Sequence, residues 1–150
     1  MAHSFTNLLY HIVFATKERE PWLTPALRPD LFAYVGGVIR DEGGIALIVN
    51  GMAEHLHILA KLRPDRALSD VVGQLKARSS GWIHRTRPEV PAFAWQTGYS
   101  AFTVSQSQIE LVRRYIENQE AHHRTMPFTT ELRRLLLAHG YEVAEEDLWQ

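Results

Sequence analysis

Residues 45–62 read IALIVNGMAEHLHILAKL, two apolar runs on either side of Asn50-Gly51. Asn-Gly accepts the positive φ values that a two-residue turn demands, so the stretch predicts a β-hairpin with Asn50 and Gly51 at its tip. A hairpin pairs its strands antiparallel, and that sets the character of the sheet built around it. In a strand, residues two apart share a face, so His55 and His57 project together while Leu56 and Ile58 point to the other side.

On the N-terminal side of the hairpin, Leu8, Tyr10, Ile12 and Phe14 alternate with Asn7, Leu9, His11 and Val13, the period of a strand with one strongly apolar face. After KEREPW, Thr24 and Pro25 offer an N-cap and a first-turn proline. Leu27, Leu31, Val35, Val38 and Ile39 then recur at helical spacing until Gly43-Gly44, with Pro29 blurring where this helix begins.

On the C-terminal side, Leu68, Val71, Val72, Leu75, Ser79, Trp82 and Ile83 mark one face of a second helix, with Trp82 read as core and Lys76, Arg78 and Arg85 elsewhere on the surface. PAFAWQTGYSAFTVS predicts one or two short strands interrupted at Gly98. Ser107 with Glu110 three residues later reads as a capping box for a helix SQIELVRRYIENQEAHH. A last helix, Thr130 to His139, stops at Gly140 before an acidic tail. The sum, β-α-β-β-α-β-α, predicts an α+β fold: a ferredoxin-like antiparallel sheet with helices packed on it, in a single domain spanning 1–150.

The size and composition agree with that. A chain of 150 residues with 45% apolar, 22% charged and 10% aromatic content can bury one adequate core. There is no cysteine, which excludes disulfides, thiolate metal sites and thiol nucleophiles. The opening MAHSFTNLLYHIVFATKERE lacks the basic-then-apolar pattern of a signal peptide, and no apolar run reaches the roughly 18 residues of a membrane span, so the expected location is the cytoplasm. The net charge of −1 hides an asymmetry: Ala60 to Arg134 carries 12 Lys and Arg against 7 Asp and Glu, and the remainder 4 against 10. The basic middle suffices to hold a few phosphates, although mixed surface charge is also what any soluble protein carries.

Two imidazoles on one strand face can share a cation; they can equally be half-buried histidines bonded to their neighbours. On the helix after Ser107, the core stripe is Ile109, Val112 and Ile116, while Leu111, Tyr115 and Gln119 lie along an adjacent face at i, i+4 spacing. A metal held by two neutral imidazoles and a neutral amide oxygen keeps its full charge, which suits a Lewis acid at a phosphoryl oxygen. The phenol, with an unperturbed pKa of about 10, needs a cation's field or a base to attack at neutral pH. Taken singly, Tyr115 also reads as an ordinary amphipathic helix residue and Gln119 as a solvated one.

AEHLHILAKL, LSDVVGQLKARSSGWIHR, WQTGYSAFTVS and LVRRYIENQEAHH, in this order and spacing, strongly resemble the single-tyrosine transposases of small bacterial insertion sequences. These belong to the HUH class, named for its His-hydrophobic-His motif. The resemblance runs from about Leu8 to the terminal LW, and the Tyr-x3-Gln helix is its most specific part. It implies an enzyme that cuts and rejoins single-stranded DNA, with Tyr115 attacking the scissile phosphate, keeping a 5′-phosphotyrosine link and releasing a 3′-hydroxyl. His55, His57 and Gln119 would hold Mg²⁺ or Mn²⁺. It also implies a homodimer that binds DNA hairpins at element ends, with the tyrosine helix of one subunit completing the partner's site. Lys76, Arg78, Arg113 and Arg114 would contact phosphates, Trp95 or Tyr99 would stack on an unpaired base, and His11, His122 and His123 are candidate supporting ligands. The overall acidic balance and the tail EVAEEDLWQ depart from the basic character of a DNA enzyme.

Two other readings stay open. In a metal-dependent phosphodiesterase, water attacks, Tyr115 only positions substrate and no covalent adduct forms. In a domesticated, non-catalytic DNA-hairpin binder, affinity is unchanged by Tyr115→Phe and no metal supports cleavage.

Overall fold

The structure, a computed structural model, describes residues 3–149. Strands β1 (Leu8–Ala15), β2 (Ile45–Gly51), β3 (His55–Leu62) and β4 (Ser100–Val104) form one sheet in the order β2-β3-β1-β4, with every neighbouring pair antiparallel. Helix α1 (Leu27–Asp41) joins β1 to β2 and α2 (Leu68–Thr86) joins β3 to β4; α3 (Ile109–Glu117), the single turn α4 (Gln119–His122) and α5 (Phe128–Ala138) follow the sheet. The β-α-β-β-α-β path and the strand order are those of the ferredoxin-like arrangement expected from the sequence.

The pleat sends alternate residues to opposite faces, and both faces are covered. On one, Ile12, Phe14, Leu56, Ile58 and Ala60 form a core with Leu31, Val35 and Ile39 of α1 and Val71, Leu75 and Ile83 of α2. On the other, Val13 and Ala15 pack under Phe128, Leu132 and Leu148. Antiparallel partners share a face, and the register sets Val13 opposite His57, Ala15 opposite His55 and His11 opposite Leu59. The three histidines therefore lie beneath the C-terminal helices, away from α1 and α2.

Several local expectations hold. The Thr24 hydroxyl accepts the Leu27 N–H at 3.2 Å, and Pro29 sits in the first turn of α1, where no backbone donor is required. The Trp95 region makes one isolated bridge, to Thr16, before Gly98 (φ +103) and β4. Helix α5 ends ahead of Gly140 at φ +87.

Three expectations are corrected. Asn50 and Gly51 are not the hairpin tip: they belong to β2, opposite His57 and Leu56, and the turn is Met52 to Glu54, with Met52 N–H donating to the His55 carbonyl at 3.0 Å. Gly51 is required there by proximity, since an added Cβ would collide with the His55 carbonyl oxygen. Ser107 forms no capping box; it lies in a short 3-10 turn before α3, its hydroxyl 3.1 Å from that of Ser105. The long C-terminal helix is broken at Asn118 (φ −93, ψ 24), between Tyr115 and Gln119.

Candidate active site

Buried polar groups require partners, and the second face of the sheet gathers an unusual number of them. His55, His57 and Gln119 are fully buried, as is Glu131 of α5, which sequence reasoning missed. Glu131 is the hub. Its Oε1 lies 2.9 Å from His57 Nε2, 3.4 Å from His55 Nε2 and 3.1 Å from His123 Nε2. Its Oε2 accepts from the Tyr115 hydroxyl at 2.5 Å and from the Gln119 amide at 3.0 Å. Gln119 Oε1 in turn lies 3.1 Å from His55 Nε2 and 3.1 Å from His123 Nε2. Tyr115 and both strand histidines of one and the same chain thus meet at a single carboxylate.

The remaining ring nitrogens are held from behind. His55 Nδ1 is 2.6 Å from Glu54 Oε1, and His57 Nδ1 is 2.8 Å from His11 Nε2. Each imidazole therefore turns Nε2 toward the site and is fixed in orientation through Nδ1, the pattern by which ligand histidines are oriented. The candidate ligand His11 is thus a partner behind His57, and His123 stands inside the cluster. His122 packs its ring on Tyr115 at 4.8 Å between centroids, and its buried Nε2 has no hydrogen-bond partner among the described residues.

His55, His57 and Glu131 each offer a ligand atom, all within 4.8 Å of one another. Beside the expected neutral donors, with Gln119 Oε1 3.1 Å from His55 Nε2, the structure sets a carboxylate, which would cancel part of a bound cation's charge. Mixed imidazole and oxygen donors fit a divalent ion such as Mn²⁺ or Mg²⁺, with the nitrogens favouring Mn²⁺.

Burial and neighbouring charge divide the protonation states. Burial opposes charge on Glu131, but hydrogen bonds from His123, His55 and His57 outweigh it and hold its carboxyl well below the usual carboxylate range. Burial likewise opposes charge on His55, yet Glu131 and Glu54 hold it above the ordinary histidine value. Burial, with the charge of His55 adding to it, pushes His57 down to about 4; burial and then His57 push His11 down to about 3. Burial, then the hydrogen bond and charge of Glu131, raise the Tyr115 phenol well above its usual value.

These shifts give a pH dependence. His11 and His57 stay neutral in the fold but protonate near 6.5 when unfolded, so between about pH 6.5 and 4 the unfolded chain binds more protons and stability falls as pH falls. The His55 contribution has the opposite sign, being lost as pH rises through its raised value, above this window. At ~1.4 kcal/mol per unit, the metal-free protein is expected to lose several kcal/mol between pH 7 and pH 4.5, read from urea midpoints in EDTA.

Asn50 ties the two halves of the site together. It stands opposite His57 on the same sheet face, and its side-chain amide donates to the carbonyls of Ile116 (2.8 Å) and Glu117 (3.2 Å). In an unbroken helix those carbonyls would take N–H groups four residues on; where α3 stops they need another donor. Asn50→Ala is expected to cost about 1–2 kcal/mol of stability. It should also loosen Tyr115 and Gln119 relative to the histidines, slowing cleavage roughly tenfold in single-turnover assays at unchanged DNA affinity.

The four candidate phosphate contacts divide. Lys76 and Arg78 lie on α2, across the sheet from the site. The Lys76 ammonium donates to the carbonyls of Gln96 (2.8 Å) and Gly98, burial lowers its pKa to about 8, and Arg78 pairs with Asp41 at 2.8 Å. Arg113 and Arg114 are exposed on α3, the helix that carries Tyr115. The Trp95 ring is taken up by Phe14 and Phe93, and its N–H by the Ser79 hydroxyl at 2.9 Å, whereas Tyr99 is exposed. Trp82, expected in the core, is only partly buried and stacks on Tyr34.

An antiparallel α+β sheet carrying a His-hydrophobic-His strand, with a helix-borne tyrosine within reach of the same carboxylate as both histidines, has the layout of a tyrosine transposase. The family described as transposase IS200 like matches residues 4–119, and the chain belongs to that family. It is similar to the ISDra2 transposase TnpA of Deinococcus radiodurans, 25% identical over 118 residues that cover 75% of this chain and 84% of that protein. The transposase for insertion sequence element IS200 of Salmonella typhimurium is 27% identical over 128 residues, covering 79% and 81%. Among solved structures, a putative transposase from Deinococcus radiodurans superimposes with a TM-score of 0.66 at 25% identity, over 79% of this chain and 95% of that one. A REP-associated tyrosine transposase bound to a REP hairpin shares the fold, with a TM-score of 0.54 at 13% identity over 98% of this chain and 77% of that one. The matched span holds His55, His57, Tyr115 and Gln119 but ends before His123 and Glu131. As a transposase of this family, the protein cleaves and rejoins DNA.

Proposed function

We propose that the chain cuts and reseals single-stranded DNA through a covalent bond to Tyr115. The observation that carries this reading is the convergence of the Tyr115 hydroxyl, His57 and Gln119 on Glu131. The nucleophile and the candidate metal ligands thus share one buried centre. Tyr115 attacks the scissile phosphorus as the P–O3′ bond breaks, and the phenol proton, passed along its hydrogen bond through Glu131 Oε2 and not retained there, ends on the departing O3′, giving a 3′-hydroxyl and a 5′-phosphotyrosine. Reversal by another 3′-hydroxyl rejoins strands without ATP, because the phosphodiester energy is kept in the tyrosine ester.

His55, His57 and Glu131 Oε1 would hold Mg²⁺ or Mn²⁺, with Gln119 Oε1 beside them. When bound, the ion supplies Lewis-acid polarisation of a phosphoryl oxygen. Glu131 thus gives one oxygen to the ligand set and one to the phenol. Arg113 and Arg114, exposed on the tyrosine helix, are positioned for neighbouring phosphates. DNA hairpins at element ends are the substrate of choice, in keeping with the hairpin-bound structure that shares the fold.

The test is incubation with single-stranded oligonucleotides spanning the flanking element ends, with Mn²⁺ or Mg²⁺, followed by denaturing gels and mass spectrometry. The expected result is a 5′-phosphodiester on Tyr115. Cleavage without an adduct would favour water attack, and binding without cleavage a non-catalytic hairpin binder. A homodimer is part of the proposal and should give a mass near twice 17.2 kDa in light scattering. Because Tyr115 meets the histidines within one chain, a monomer would remove the shared site but not the chemistry.

A further inference from the structure

We propose that the cavity beside Tyr115 is a nucleobase site, seating one base of the nucleotide next to the attacked phosphate. The cavity has a volume of 590 Å³ and lies between β4, α3 and α5, outside the cluster of metal-capable side chains. Its walls are mainly apolar, from Val104, Leu111, Val112 and Leu135, and Leu111 is 66% exposed. Two residues at the reaction centre also line it: Tyr115, and His11, whose Nε2 contacts His57. Their rings stand edge to face, 6.1 Å apart between centroids.

An apolar recess beside a phosphoryl-transfer nucleophile suits only part of a nucleic acid. Phosphates and sugars are polar and go to cations and donors, whereas a base presents a flat face that gains by leaving water and by stacking on aromatic rings. The volume lies within the roughly 300–1,000 Å³ of sites that take a small molecule, enough for one base and part of its sugar. The link to the reaction is steric. A phosphate within bonding reach of the Tyr115 oxygen brings its own nucleosides to within one nucleotide's length, and the tyrosine is itself a wall of this recess. Ser105 and Gln108 at the rim offer hydrogen-bonding groups to a base edge, so the site has the means to prefer one base over others.

This inference rests on the proposed DNA chemistry for its substrate, but its test needs no catalysis. Binding of the full chain in EDTA is measured by fluorescence anisotropy with two probes, an oligo-dT strand and an equal-length strand of abasic tetrahydrofuran sites; oligo-dA and oligo-dC follow for base preference. The expected result is about tenfold tighter binding to the strand with bases. Filling the recess from two different walls, with Val112→Trp on α3 or Ala138→Trp on α5, should bring that gain to within about twofold of none and leave abasic affinity unchanged. Either variant suffices if the other does not fold. Retention of the full gain in the folded variants would overturn the proposal. So would a gain unaffected by filling together with an altered mass in light scattering, which would assign the recess to a second copy of the chain. Failure to find a Tyr115 adduct would strike the proposed chemistry alone, since base-dependent affinity is read without cleavage.

Discussion

Tyr115→Phe is expected to abolish the covalent protein–DNA product and to lower strand cleavage by on the order of 10⁴-fold or more, as loss of an enzyme's nucleophile does. The substitution removes one oxygen, which donates at 2.5 Å to Glu131 Oε2. The carboxylate keeps Gln119, His57 and His123 as partners, so the fold should hold, with a stability change of about 1 kcal/mol. DNA affinity should stay within about twofold. The measurement is single-turnover cleavage of an end-labelled oligonucleotide, with the adduct followed by mass spectrometry. Wild-type cleavage by the phenylalanine protein would assign the attack to water and reduce Tyr115 to a positioning role.

The second large effect concerns the histidine pair. His55→Ala together with His57→Ala is expected to eliminate cleavage and the response to metal. A ligand that binds only the folded protein stabilises it by about 2.7 kcal/mol at a hundred times its Kd, so Mn²⁺ should raise the wild-type Tm by several degrees and leave the double variant unmoved. The variant will also be less stable at the outset. His55 is fully buried and stacks on Phe128 at 4.0 Å, and its removal with His57 strips Glu131 of two partners while opening space in the core. Glu131→Gln separates the two effects, because it keeps the side-chain shape and removes the charge. It should lose most of the Mn²⁺ shift while losing less stability than the double alanine variant. An undiminished Mn²⁺ shift in the double variant would place the metal elsewhere.

Much of this arrangement was legible because it rests on short-range rules. Alternation along Leu8 to Phe14 and His55 to Leu62 gave strands with the correct faces, and Thr24 gave the hydroxyl that accepts the Leu27 N–H ahead of α1, whose N-cap position is Ala26. The Tyr-x3-Gln spacing put Tyr115 and Gln119 on one side of the chain's C-terminal half, where the structure brings both onto Glu131. The misreadings share a cause. Asn50-Gly51 has ideal turn chemistry, yet the pair extends β2, where Asn50 supplies the carbonyls of a helix 66 residues away and Gly51 permits close approach to His55. Ser107 has ideal capping chemistry, but the chain tightens into a 3-10 turn ahead of α3.

Glu131 carried no local signal. It sits in TTELRRLL, where a glutamate in the first turn of a helix is an ordinary favourable charge, and beyond the span that the family matches. Its burial depends on α5 folding back over the sheet, so that Phe128 and Leu132 pack against Val13 and Ala15 and carry Glu131 onto His57. The sequence by itself determined the elements, the shared face of the two histidines and the tyrosine-glutamine pair, because those follow from periods of two and of about 3.6 residues. The tertiary structure alone decided the fifth member of the site, Glu131, the partners behind each imidazole and the break before Gln119. Each of those depends on contacts between segments far apart in the chain, and no local period encodes them.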